Sequence, residues 1–294
     1  MFANLLVALA LSIVPVHDDT TPATAIAGFM TQLDSIAAAP YQPRANRIRD
    51  WYRDMLAPLN PRAVADKDME TLLLASMTAA GLANDRSIAE HSRAIFDEME
   101  TRSLLAEKRY VDMQQLYVNL RDFEAARAFH AKFGQSHPLD PIPAISRAAG
   151  FDPAQRSILV LQETGALQER NFSAAREDFV LAVADPLCHF TLDAATAIEA
   201  DPELHAYFAE HSHWLAPYGV RLDPGPIETW NARFSDYRMV LVDDIRTWPD
   251  IDYWGTPTFY VFVQGQVVET IRGWPKGGRA DELKRALGLT RTGP

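Results

Sequence analysis

The 294-residue chain has a single cysteine, Cys188. One thiol excludes an intramolecular disulfide and any zinc site built from several thiolates. A Gly-rich phosphate loop and a G-x-S-x-G elbow are both missing, so neither polyphosphate cradling nor a serine-hydrolase turn is signalled. Basic side chains are in deficit: 28 Lys and Arg stand against 39 Asp and Glu, a net charge of −11. That balance disfavours nucleic acid and anionic membrane surfaces as general partners. No apolar run reaches the roughly 20 residues that a membrane span needs.

The strongest apolar run is Leu5–Val14 in "MFANLLVALALSIVPVHDDTTP". Its length, about ten residues, suits the h-region of a secretory signal peptide. Residues 1–17 therefore read as a signal peptide, and the processed protein is expected in the periplasm or secreted, with no integral membrane span. The n-region has no Lys or Arg and no clean A-x-A site follows. A buried or frayed N-terminal helix in a cytoplasmic protein thus stays open as the alternative.

Residues 23–149 are Ala-rich, with apolar positions at helical spacing and no convincing strand. "IAGFMTQLDSIAAA", "RIRDWYRDMLAPL" and "METLLLASMTAAGLA" read as amphipathic helices, punctuated by Pro40, Pro43, Pro58 and Pro61. "DRSIAEHSRAIFDEM" from Asp85 and "RDFEAARAFHAKF" from Arg121 are faintly alike at an offset of 36 or 37 residues. Together with "YVDMQQLYVNL" they resemble a tetratricopeptide unit; a generic helical bundle is the plainer reading. The proline-rich stretch before Gln155 reads as a link.

From Ser157 the pattern changes. "SILVLQ", "DFVLAVA" and "RMVLVDDI" are short apolar runs with β-branched residues, read as buried strands. "LDAATAIEADPELHAYFAEHSHWL" is expected to be helical, broken near Asp201-Pro202. Thr258–Val263 and Gln266–Arg272 form a hairpin about Gln264-Gly265, and "GRADELKRALGL" closes the chain as a helix. Strand, strand, helix, strand, hairpin, helix implies an α/β unit with a mixed sheet over residues 157–294.

Cys188 lies between a strand and a helix, in "VADPLCHFT". At a helix N-terminus, unpaired backbone N–H groups and the helix dipole favour a thiolate, the nucleophilic form of cysteine. Thr191, three residues on, could hydrogen-bond the sulfur. His189 is adjacent but free to point elsewhere. A buried, inert thiol is the bland alternative.

The order strand–Cys188-His189-Phe190-Thr191–helix, then Gly255-Thr256-Pro257-Thr258-Phe259, the hairpin with Gly265, and Gly273 before the last helix resembles the thioredoxin fold. The resemblance implies an α/β thioredoxin-like C-terminal domain behind an all-α N-terminal helical domain. It implies that Cys188 is the attacking cysteine and that Thr191 stands where a second, resolving cysteine usually stands. It also implies that Thr256 and Pro257 form a substrate-facing loop, as a cis-proline loop does in that family, though the sequence leaves the isomer of Pro257 open; His189 and Trp254 are further candidates for substrate binding. The missing second cysteine points to monothiol exchange with protein or peptide thiols, with glutathione or a substrate thiol resolving the intermediate. The alternative is a redox-inactive scaffold that uses the same groove and the helical surface for binding. Asp185 stands where peroxidase sites usually set a threonine.

Neither a cofactor nor a metal is expected. His205, His211 and His213 read as surface histidines, since no well-spaced carboxylate or thiol accompanies them. Asp243 and Asp244 read as strand-end solvation and turn formation rather than an acid–base pair. Trp248, Trp254 and Trp274 flank the proline loop. They could line an apolar groove or pack against the sheet, and sequence does not separate the two.

Overall fold

The computed structural model describes residues 21–36, 39–174, 176–217 and 224–289. The proposed signal segment, residues 1–17, lies outside them.

Six helices come first: α1 (Pro22–Ser35), α2 (Tyr41–Met55), α3 (Asp66–Ala83), α4 (Arg86–Thr101), α5 (Glu107–Asn119) and α6 (Phe123–Phe133). Their starts follow local chemistry. Thr21, Asp85 and Asp122 each accept a hydrogen bond from a first-turn backbone N–H, and Pro22 opens α1 where no donor is needed. Three helix ends share one turn. Asn84, Ser103 and Arg121 adopt positive φ, and the next residue's N–H reaches back to the carbonyl of Ala80, Met99 or Tyr117. Asp85 and Asp122, the caps that follow two of these turns, are 37 residues apart. The faint sequence similarity at that offset therefore corresponds to a repeated turn-and-cap geometry.

Asp85 also pairs with Arg49 of α2 at 3.0 Å, tying three helices together. Burial would raise its pKa, but the Ser87 hydroxyl, the Ile88 and Ser87 N–H groups and Arg49 outweigh it, so the net shift is below the ordinary 3.8. A depressed carboxylate stabilises the fold above its unfolded pKa and loses that contribution as pH falls through the folded value. Asp85→Ala is expected to cost about 1–2 kcal/mol in urea denaturation at pH 7. The difference from the parent should shrink below the ordinary carboxylate range, and Asp85→Asn, which still caps, should cost less.

The rest of the chain supplies β1 (Ile145–Arg147), β2 (Ser157–Leu161), β3 (Leu167–Asn171), β4 (Phe179–Val183), α7 (His189–Ala200), α8 (Pro202–His211), β5 (Ser212–Ala216), α9 (Pro224–Arg233), β6 (Met239–Val242), β7 (Thr258–Val263), β8 (Gln266–Arg272) and α10 (Ala280–Ala286). They make one eight-stranded mixed sheet in the order β1-β3-β2-β6-β5-β4-β7-β8. The centre is parallel, β6-β5-β4, joined by crossovers through α7, α8 and α9. β7 pairs antiparallel with β4 and then β8, and β2 pairs antiparallel with β6 and β3. β4 is buried at all five positions, as a central strand must be.

Three departures from the sequence reading stand out. Residues expected to extend the helix past His211 form β5 instead. Trp214, Leu215 and Ala216 are buried between β4 and β6, so tertiary burial overrides the helical run. β3 (sequence "LQERN") is too polar to signal a strand; the pairing with β2 creates it. A three-residue strand, β1, lies within the segment read as strand-free, held by parallel pairing with β3. The hairpin, the Asp201-Pro202 break and the closing helix fall where expected, with Asp201 capping α8.

Buried residues of α1–α6 and of the sheet form a single apolar cluster. Polar links also cross between these parts. Arg121, itself buried, donates to the Val242 carbonyl at 3.1 Å, and the Tyr41 N–H donates to the Asp252 carbonyl at 2.9 Å. The second link braces the loop that precedes β7.

Candidate functional site

Cys188 occupies the N-cap of α7, with extended backbone, directly after the buried strand β4. The turn that delivers it is closed locally. The Cys188 N–H donates to the Asp185 carbonyl at 3.0 Å, and the Leu187 N–H donates to the Asp185 carboxylate at 2.8 Å. The cysteine is half-buried, whereas its neighbours Leu187 and Phe190 are 75% and 44% exposed. Two large apolar side chains next to the cysteine in sequence therefore stand in solvent.

The loop Gly255-Thr256-Pro257 lies beside it. The Thr256–Pro257 bond is cis, and Cys188 Sγ is 3.8 Å from the Thr256 carbonyl oxygen, within reach of an S–H donor. The loop is well braced. Thr258 Oγ1 donates to the Gly255 carbonyl at 2.6 Å, and the Gly273 N–H donates to the Pro257 carbonyl at 2.7 Å. The Tyr260 hydroxyl lies 2.9 Å from the Asp252 carboxylate and accepts from the Tyr253 N–H at 2.9 Å. The Tyr253 ring packs closely over Gly255, where a Cβ would force the ring to shift.

Thr191 is fully buried beneath the sulfur, and its hydroxyl accepts from the Asp185 N–H at 3.4 Å. Burial by itself would raise the Cys188 pKa. The Thr191 N–H, the Thr256 and Thr191 side chains and the Phe190 N–H all favour the thiolate, and the net shift is downward. This is the electrostatic signature of a helix-start cysteine. Thr191→Val removes one of these donors. Its alkylation-versus-pH curve is expected to move upward, with several-fold slower labelling at pH 7, while Thr191→Ser keeps the parent curve. An unmoved curve in Thr191→Val would show that the hydroxyl does not reach the sulfur.

The other sequence candidates separate. His189 is exposed, its ring 3.8 Å from that of Phe190. Trp254 is half-buried, and its indole Nε1 is sealed from solvent without a hydrogen-bond partner. Trp248 and Trp274 are buried. The first packs on Phe172 and the second on Phe259, so these two pack against the sheet rather than line a groove.

His205 bonds the Tyr237 hydroxyl at 2.5 Å, His211 stacks on Tyr207, and His213 sits edge-on to Phe172 and Phe179. No group of three or more His, Cys, Asp and Glu gathers as a metal site among the described residues. Asp244 caps the short turn 245–247, as expected of a turn former. Asp243 departs from the solvated reading: burial pushes its carboxyl above the ordinary value, against a hydrogen bond from Ser157. No local signal announces this, because Ser157 and Arg121, which act on the Asp243 carboxyl, are distant from it in the chain.

No helix among the described residues is long and apolar enough to cross a membrane. No family model matches the chain, and no curated protein matches it. Among solved structures it is similar to a thioredoxin-like protein from Bacteroides caccae ATCC 43185, at 13% identity and a TM-score of 0.29, over 87% of this chain and 96% of that one. Neither figure is high enough to transfer a fold or an activity, so the functional reading rests on the geometry around Cys188.

Proposed function

We propose that this chain is an exported, thioredoxin-like monothiol exchanger that acts on protein or peptide disulfides through Cys188. The observation that supports it most is the placement of a half-exposed sulfur at the start of α7, 3.8 Å from the Thr256 carbonyl. In the first step the Cys188 thiolate attacks one sulfur of a substrate disulfide. A mixed disulfide forms, the substrate S–S bond breaks, and the second substrate sulfur leaves as a thiolate, taking a proton from solvent. Thr191 cannot attack the mixed disulfide, so an external thiol such as glutathione does. It restores the Cys188 thiolate and carries away the other sulfur as a new disulfide, so the protein undergoes no net redox change.

In this reading Thr256 and Pro257 align the substrate backbone, and His189 and Trp254 border the groove. The helices α1–α6, with their repeated tetratricopeptide-like turns, share an apolar core with the sheet and offer the surface that recruits the partner. A redox-inactive scaffold is the second reading, favoured by the exposed Leu187 and Phe190 together with a buried threonine at the second motif position.

Intact-mass measurement after exposure to oxidised glutathione separates the two. Exchange predicts one adduct on Cys188 in the folded protein, reversed by reduced glutathione and absent in Cys188→Ser. A protein that acquires the adduct only in denaturant is a scaffold.

A further inference from the structure

A second opening lies on the sheet, and none of its lining residues belongs to the Cys188 site. Ile158 pairs with Arg170 on one side and Val242 on the other, and Leu215 pairs with Val240. Side chains alternate along a strand, so Ile158, Val160, Arg170, Val240 and His213 share one face. The opposite face is sealed: Leu159, Trp214, Met239 and Leu241 are 2% exposed or less. Ile158, Val160 and Val240, in contrast, are only half-buried. A crevice of about 670 Å³ opens over them, walled by Phe151 and Phe172 and edged by the polar side chains of Asn171, Ser173, Ser212 and Ser235. That volume lies within the range of small-molecule sites, roughly 300–1,000 Å³.

The charge at this crevice runs against that of the chain. The protein is acidic overall, yet two arginines, Arg170 and Arg238, line the opening against a single carboxylate, Asp236. Neither guanidinium group has an ion pair or hydrogen bond among the described residues. Asp236 faces His205 at 3.9 Å. The register sets Arg170 and Arg238 toward opposite ends of the apolar floor. They are two strand spacings apart across the sheet and four residues apart along it, roughly 16 Å between backbones. His213 contributes a neutral ring to the floor: burial lowers its pKa, and it lies edge-on to Phe172 and Phe179.

We infer that this crevice binds a small elongated carboxylate, its apolar body on Ile158, Val160 and Val240 and its anionic head on an arginine at the rim. An apolar floor without charge would accept an alcohol equally well, and two unpaired guanidinium groups reject a cation. Guanidinium is weakly hydrated and matches a carboxylate with two parallel hydrogen bonds, which makes the carboxylate the favoured head group.

Isothermal titration of the full chain with decanoate, decanol and decyltrimethylammonium, each below its aggregation threshold, tests this. Decanoate is expected to bind with one-to-one stoichiometry, and about tenfold or more tighter than decanol. The ammonium should not bind. Arg170→Ala, Arg238→Ala or both should remove the preference over decanol. Val160→Trp, which fills the floor, should abolish binding while circular dichroism and thermal midpoint stay at parent values. Equal affinity for decanoate and decanol overturns the assignment, as does tight decanoate binding in the double arginine variant. A concentration-dependent dimer that Val160→Glu dissociates would give the face to a second copy and overturn it as well.

Discussion

Cys188→Ser is expected to reduce exchange of a glutathionylated peptide to the rate seen without protein, with the fold intact. The loss follows from ionisation. Hydrogen bonds from Thr191, Thr256 and Phe190 bring the thiol below its ordinary value near 9.0, whereas a serine hydroxyl does not ionise in the working range. The intact fold follows from the position. Cys188 is the N-cap of α7, a position where serine is a better cap. The urea midpoint of Cys188→Ser should therefore equal or slightly exceed that of the parent. A variant that lost both exchange and stability would mean that the sulfur is part of the packing, not the chemistry.

The largest stability effect is expected from Trp214→Ala. Trp214 sits on β5 in the middle of the sheet, 1% exposed, with ring contacts to Trp230 at 5.4 Å, Tyr237 at 5.8 Å and Phe259 at 6.0 Å. Its Nε1 donates to Ser212 Oγ at 3.1 Å. Truncation removes the apolar transfer gain and leaves a cavity that strands on both sides cannot close, a cost of about 3–5 kcal/mol. Set against a total stability of about 5–15 kcal/mol, that loss should lower the thermal midpoint by on the order of 10 °C. Phe190→Ala, a comparably large truncation at an exposed position, should leave the midpoint unchanged within error. If the two variants melt alike, β5 is not the central strand described.

Residues whose own neighbours fix their structure were legible in the sequence. The Thr258–Arg272 hairpin announces itself through alternating apolar residues about Gln264-Gly265, and Gly265 takes the positive φ its turn requires. The break at Asp201-Pro202 is a cap followed by a first-turn proline, a signal carried by two adjacent residues. Elements that exist only through distant partners were not legible. "HWL" continues a helical pattern and becomes a strand because β4 and β6 leave one slot between them. "LQERN" has no apolar alternation and is held by the backbone of β2.

The candidate site divides in the same way. The position of Cys188 at a helix start, and of Thr191 beneath it, follows from the strand–helix pattern. The approach of Thr256 is a contact across 68 positions, supplied by the antiparallel pairing of β4 with β7. The sequence does not mark Leu187 and Phe190 as surface residues, because apolar residues near a helix start look like core. Only their exposure distinguishes them. The apolar floor of the second crevice was hidden for the opposite reason: Ile158, Val160 and Val240 look like the interior of buried strands, and sequence does not show which sheet face is left uncovered.

The most direct test of the exchange reading is the rate of Cys188 alkylation in the folded protein as a function of pH. A sulfur at an open helix start, held by the Thr191 and Thr256 side chains, should label readily without denaturant, with an inflection below the ordinary thiol value near 9.0. An inflection at or above that value, or labelling that begins only when the protein unfolds, would contradict the account.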